Sequence, residues 1–411
     1  MEDNKNAFRV IVIGLNYGSI LTMVRDFGEA GYNVEVVRVF KKKPNPVNLL
    51  GTMKPEAASR YVTDHRICIM DKEGETLISL LKEMARPDFK TLLVPVDDFL
   101  VSAIDEHYDI LKEDYVISNC DNRAGGITKL MDKHIQKDLA LQAGLNVPES
   151  ALIEMKDGEC RIPDNVPFPC FIKPNVSSNA SKLIMRRFDQ RGELWDFLNE
   201  HAKEKDLSLL AEEFIDIKAE YSLLGMSVPE MTFAPCIVRA VMRGHRERKG
   251  VAVTGMIMDT DDFSEVISKA EAFVSLTGYV GMFDIDLIED QYGKIYFTEL
   301  NLRAGASVNA FSRVGFNLPS AFAAYMLKRE EPKVEYRSEK GKVFVSEKAL
   351  LEEYVRSDIT RAEFLKNLKE PDLYFIKDDK DPEPFKVFKR YAGLSPVLRL
   401  PYGIRDRIFK R

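Results

Sequence analysis

Residues 8–13 form an apolar, β-branched run that stops at Gly14. Residues 20–30 are apolar at helical spacing and stop at Gly31, and residues 34–40 are apolar again. This pattern predicts a strand, a helix and a strand. Leu92-Leu93-Val94-Pro95 followed by the helical stretch 99–111 adds a further step, and Tyr115-Val116-Ile117 another strand. The first third thus predicts an α/β fold, a wound parallel sheet with helices on both faces. Gly14-Leu15-Asn16-Tyr17-Gly18 lacks the spacing of a dinucleotide fingerprint and reads as a tight strand-to-helix turn, placed where open sheets bind ligands.

Further along, Asp132-Lys133-His134 opens a helix that Gly144 closes, and Pro148 begins an extended segment. Cys170-Phe171-Ile172-Lys173 reads as a strand, interrupted by the polar loop 174–181 and resumed at Leu183-Ile184-Met185, which predicts a hairpin. A helix over 194–203 leads to strands at 207–214, 221–224 and 237–242. Residues 282–288 and 294–300 form a second hairpin about the turn 289–293, and a helix follows over 318–328. Mixed strands and helices of this kind predict α+β subdomains after the wound domain.

At 411 residues the chain is too long for one core. The boundaries expected are 1–122 for the wound domain, 123–330 for the α+β part, and 331–411 for a helical extension with a basic end. Within the α+β part a lid is expected at about 150–210 and a metal-binding core at about 211–330. A net charge of −6 argues against a nucleic-acid partner. Five scattered cysteines without a CxxC pair fit reduced thiols, and the five histidines stand alone. The polar start and the short run Val10-Ile11-Val12-Ile13 match neither a signal peptide nor a membrane span, so a cytoplasmic location is expected.

The candidate chemistry centres on Phe283-Asp284-Ile285-Asp286-Leu287 and Phe297-Thr298-Glu299-Leu300-Asn301. Alternation puts Asp284 and Asp286 on one face of the first strand, and Glu299 and Asn301 on one face of the second. Hard oxygen ligands in this pattern suit Mg²⁺ held together with phosphates, although an amphipathic hairpin with a solvated polar face has the same pattern. Upstream, Lys133 sits at a helix start and Lys173 at the end of an apolar strand beside a polar loop. A lone lysine is usually a solvated charge; a strand-borne one beside such a loop is aimed, and suits a polyphosphate. The extended backbone of Glu212-Glu213-Phe214-Ile215 can meet an adenine edge, with Glu220 accepting from ribose hydroxyls.

In this order and spacing, residues 119–328 resemble the ATP-grasp superfamily. Asp132-Lys133, Leu139-Ala140, Gly144-Leu145 and Val147-Pro148 resemble its DK…LA…GLxVP segment. Phe171-Ile172-Lys173-Pro174 resembles the strand of its second nucleotide lysine, and Glu212-Glu213-Phe214-Ile215 with Glu220 its adenine and ribose hinge. Asp286, thirteen residues before Glu299, and then Asn301 resemble its magnesium triad. Asn301-Leu302-Arg303-Ala304-Gly305-Ala306-Ser307 is similar to the NxRxGG turn of its carboxylate-amine ligase branch. Two features depart from the pattern. The loop 175–182 has no glycine, so Ser177, Ser178 and Lys182 take the phosphate-binding part, and the hinge carries the longer turn Asp216-Ile217-Lys218-Ala219.

The resemblance implies an ATP- and Mg²⁺-dependent ligase, with Mn²⁺ as a substitute metal, that activates a carboxylate as an acyl phosphate and joins it to an amine. Lys173 and Arg303 are then the catalytic residues, and Lys133, Lys173, Ser177, Ser178, Lys182, Glu212, Glu213, Phe214, Ile215 and Glu220 hold the nucleotide. Asp286, Glu299 and Asn301 hold the metal. The wound domain, the Val94-Pro95-Val96-Asp97-Asp98 string and the NxRxGG-like turn look most like D-aspartate ligases, which implies an amino acid and a cell-wall precursor as partners. The alternatives are a non-catalytic ATP-binding module, or an ATP-grasp carboxylase or nucleotide-synthesis ligase; a nicotinamide oxidoreductase is disfavoured by the missing fingerprint. Residues 385–411 carry eight basic residues against one acid, Asp406, interleaved with apolar ones. Such a stretch suits a helix packed on an acidic body or, alternatively, a peripheral contact with an anionic membrane.

Overall fold

The computed structural model describes residues 8–43, 53–71, 74–156, 159–176, 185–201, 206–245, 252–328, 330 and 339–393. Parallel strands β1 (Phe8–Gly14), β2 (Asn33–Phe40), β3 (Val62–Ile69) and β4 (Lys90–Pro95) form the first sheet in the order β3-β2-β1-β4. Its central strands are apolar on both faces because both are covered. Val10 and Val12 pack with Ile20, Met23 and Phe27 of the helix Tyr17–Glu29, while Ile11 and Ile13 pack with Leu77, Leu81, Leu100 and Ile104 on the other side. The wound α/β expectation therefore holds. β3 and the helix Glu75–Met84 escaped the sequence pattern because β3 is an edge strand, partly exposed and interrupted by Asp64, His65 and Arg66.

After β5 (Asn119–Cys120), a second sheet contains β6 (Ser150–Lys156), β7 (Glu159–Cys160), β8 (Cys170–Pro174), β9 (Arg186–Phe188) and β10 (Leu207–Glu213), in the order β7-β6-β10-β8-β9. The large third sheet runs β15 (Ile295–Asn301), β14 (Tyr279–Asp290), β11 (Ile217–Val228), β12 (Met231–Arg243), β13 (Ala252–Ile257), β16 (Val343–Val345) and β17 (Leu373–Tyr374), with β5 paired to β14. One apolar core joins the first and third sheets: Val10, Val34 and Leu92 share it with Leu224, Val238 and Phe344, and with Phe311 and Phe322 between them. That core brings the carboxyl ends of the first sheet's strands up to the β14–β15 hairpin.

Several sequence expectations are corrected. Residues 115–117 form a single bridge, Val116 to Leu92, rather than a strand. The helix expected over 99–111 is two, Asp98–Glu106 and Tyr108–Leu111, broken at His107. The helix expected over 318–328 is α-helical only over Leu318–Ala323 and continues as a π-turn over Ala324–Lys328. The returning strand of the β8 hairpin is described over Arg186–Phe188; Leu183 and Ile184, where it was expected to resume, lie outside the described residues. Ile217, Ala219 and Glu220 pair with β14, so the longer turn expected at 216–219 is mostly strand. Residues 331–411, expected to be helical, also supply β16 and β17 to the third sheet. At the basic end, the helix Glu383–Gly393 buries Phe388 against Tyr17, Leu21, Leu351 and Ile376, as a helix packed on the body does; residues 394–411 lie outside the described residues. Among the described residues no helix is long and apolar enough to cross a membrane.

Candidate active site

Asp132 caps the helix Lys133–Gln142 by accepting from the His134 and Ile135 N–H groups, and Gly144, at φ +81°, ends it in the left-handed region that favours glycine. Asn175, just past β8, ties the start of the polar loop to this cap. Its side chain donates to Asp132 Oδ2 at 2.8 Å, and its carbonyl accepts from Lys133 N at 3.1 Å. Gln136 pins the same helix to β15 through the Leu300 N–H and carbonyl. The helix thus lies over the β14–β15 hairpin, with Lys133 Nζ 2.8 Å from Glu299 Oε1.

Lys173, 7 % exposed, points from β8 toward the same place. Its Nζ donates to the Thr298 carbonyl at 3.1 Å and lies 2.9 Å from Glu212 Oε1. The Glu212 carboxylate is buried between Lys173 and Lys137, so its side chain faces lysines, whereas the expected hinge contact is one of the backbone. Burial favours the protonated acid, but the two ammonium groups outweigh it and hold Glu212 below the usual carboxylate range. The N–H groups of Glu213 and Phe214 are likewise taken, by the Glu149 and Pro169 carbonyls. Beyond the Ile215 turn, Glu220 on β11 forms an ion pair with Arg243 of β12. Ser177, Ser178 and Lys182 lie outside the described residues.

The hairpin register opposes Asp284 to Asn301 and Asp286 to Glu299, and a one-residue shift at Thr298 brings onto one face the two pairs that the alternation predicted within each strand. Asn301 Nδ2 donates to Asp286 Oδ2 at 3.2 Å, and Arg303 donates to Asn301 Oδ1 at 3.2 Å. Burial, then the neighbouring carboxylates, push Asp284 and Asp286 above the usual carboxylate range. Burial alone would lower the Arg303 charge, but Asp98, Asp284, Asp97 and Asp286 outweigh it and raise the pKa. Arg303 Nε lies 2.9 Å from Asp98 Oδ1, and Asp97 accepts from the Leu15 N–H at 2.6 Å. The Gly14–Gly18 turn, the Asp97-Asp98 pair and the NxRxGG-like turn therefore meet.

The expected convergence of three carboxylates needs correction. Among the described residues no three His, Cys, Asp or Glu side chains form a ready-made metal cage. Glu299 is drawn to Lys133, and Asp284 abuts Gly305, where an added Cβ would overlap its carboxylate. What fits a hard cation is a partial set: the two buried carboxylates Asp284 and Asp286, raised first by burial and then by neighbouring carboxylates, an Asp284 Oδ1 without a hydrogen bond, and the Asn301 amide. Mg²⁺ is commonly held by one or two carboxylates with phosphate oxygens completing the shell. Sequence reasoning missed Lys137, Asn175, Arg243 and the Asp98–Arg303 pair. The one signal available was Lys137, one helical turn after Lys133.

No family model matches the chain. Over 259 residues it is 24 % identical to the formate-dependent phosphoribosylglycinamide formyltransferase of Bacillus velezensis, a match covering 60 % of this chain and 62 % of that protein. Among solved structures, N5-carboxyaminoimidazole synthetase from Staphylococcus aureus complexed with ADP superposes with a TM-score of 0.62 at 15 % identity, covering 90 % of this chain and 88 % of that one. L-amino acid ligase from Bacillus licheniformis gives 0.59 at 15 % identity, covering 82 % and 79 %. With the three sheets arranged as described, these likenesses show that the chain has the ATP-grasp fold.

Proposed function

We propose that this chain is an ATP- and Mg²⁺-dependent carboxylate-amine ligase that forms an amide through an acyl phosphate and releases ADP and phosphate. The observation that carries the reading is the meeting of two buried lysines from different elements, Lys133 and Lys173, with the Asp284, Asp286, Glu299 and Asn301 face. Asp286 and Asn301, with the neighbouring Asp284, are the residues that would hold Mg²⁺, and Glu299, paired with Lys133, borders them on the same face; the ion would supply charge neutralisation at the phosphates and the transferring oxygen. Lys133 and Lys173 bind phosphate oxygens as point charges. The backbone of Glu212-Glu213-Phe214-Ile215 borders the base, and Glu220, set by Arg243, lies toward the ribose. Arg303, oriented by Asp98 and Asn301, positions the acceptor carboxylate by a charge-assisted fork.

The curated relatives favour a nucleotide-synthesis ligase over a D-aspartate ligase acting on a cell-wall precursor. They are named for formate and phosphoribosylglycinamide, so a small carboxylate and a phosphoribosyl amine are the first substrates to try. The test is a phosphate-release screen with Mg-ATP, pairing formate, bicarbonate and amino acids with phosphoribosylglycinamide, amino acids and cell-wall precursors. ADP formation that requires both an acid and an amine is expected. ATP binding without substrate-stimulated ADP release would instead identify a non-catalytic module, and dependence on bicarbonate a carboxylase.

A further inference from the structure

Lys137 lies one turn beyond Lys133 on the same helix and is 2 % exposed. Its Nζ is 2.5 Å from Glu212 Oε1 and donates to the Pro148 carbonyl at 3.2 Å. Glu212 Oε1 is also the partner of Lys173, so two buried ammonium groups share one carboxylate. For stability alone this is a costly arrangement, because a single buried pair is already neutral and each further buried charge adds a desolvation penalty. A neutral pair, however, offers a polyanion no net attraction. Three groups together carry one net positive charge, and the ammonium of Lys173 reaches the β15 strand that holds the acidic face.

We infer that Lys137 is a positioning residue for the nucleotide: it supplies the counter-charge to Glu212, so that the Lys173 ammonium keeps a net positive charge for the phosphates. Burial draws the Lys137 pKa down to about 8, opposed by Glu212, and Glu212 is held ionised by both lysines, so the net charge stands at neutral pH. Lys137 acts through Glu212 and Lys173 and does not itself touch the nucleotide. The inference rests on the ATP-dependent reading of the site.

The test compares binding of ATP, ADP, AMP and adenosine, in the presence of Mg²⁺, to wild type, Lys137→Met and the double variant Lys137→Met/Glu212→Gln, by calorimetry with circular dichroism as the check on folding. Lys137→Met should weaken ATP roughly tenfold, ADP and AMP progressively less, and adenosine not at all, as loss of one charge from a partly buried site requires. The double variant again carries one positive charge and should regain most of the lost ATP affinity. Equal weakening of adenosine and ATP, no weakening of ATP, or no recovery in the double variant would each overturn the inference. If Lys137→Met does not fold, the double variant decides, since it leaves no carboxylate stranded; strong loss of ATP there has the same force. Failure of the wild type to bind ATP would overturn the ligase reading, and this inference with it.

Discussion

Gly305 is the position where a one-carbon change tests the acidic hairpin most directly. A methyl carbon there would overlap the Asp284 carboxylate, lying 2.8 Å from its Cγ and 2.7 Å from Leu224 Cδ2. Leu224 is 1 % exposed and Asp284 9 %, so neither can swing into solvent. Overpacking of this kind typically costs about 1–3 kcal/mol. The strain falls on the turn that carries Asn301 and Arg303, where a displacement of about 1 Å at a reacting centre can cost roughly 100-fold in rate. Gly305→Ala should therefore lower unfolding stability in urea by about 1–3 kcal/mol and ADP formation by on the order of 10- to 100-fold. Adding Asp284→Ala removes the atoms that the methyl group meets, so the double variant should recover roughly 1–2 kcal/mol relative to additivity. Wild-type stability and turnover in Gly305→Ala, or strict additivity in the cycle, would refute this account of the contact.

Lys173→Ala and Glu299→Gln should each lower amine-dependent ADP formation by about 100-fold or more, with circular dichroism unchanged, because the first removes a positive charge aimed at the phosphates and the second the carboxylate that orients Lys133 beside the acidic face. Chelation of Mg²⁺ should abolish turnover and re-addition restore it, followed in the same coupled assay; activity in its absence would contradict the metal assignment. Burial pushes the Asp26 pKa up to about 7. The folded chain therefore binds more protons than the unfolded one between the ordinary carboxylate range and about 7, and stability falls as pH rises across that window. Asp26→Asn should flatten this slope and gain on the order of 2–4 kcal/mol at slightly alkaline pH by urea denaturation. Glu347, 1 % exposed, accepts from the Phe375, Ile376 and Lys377 N–H groups, so Glu347→Ala should destabilise the chain by about 3 kcal/mol or more in the same assay.

The sequence alone determined features whose cause is local. The two-residue period of the β14 and β15 segments sets which side chains within each strand share a face. Asp284 with Asp286, and Glu299 with Asn301, were therefore legible as two pairs before any coordinates, whereas the register shift at Thr298 that puts both pairs on one face was not. The same holds for the Lys133–Gln142 helix, whose cap and stop, Asp132 and Gly144, lie within it or beside it. Tertiary structure decided everything that depends on partners distant in the chain. Glu212 looks like one more hinge residue in the sequence, and only the packing of its strand against β8 and the Lys133–Gln142 helix makes it the shared counter-ion of Lys137 and Lys173. Likewise, Asp98 meets Arg303 only because one apolar core joins the first sheet to the third, and β16 and β17 are strands because β13 offers an edge to β16, and β16 in turn to β17. Hydrophobic period is written residue by residue, whereas ion pairing between distant segments follows from which surfaces the core brings together.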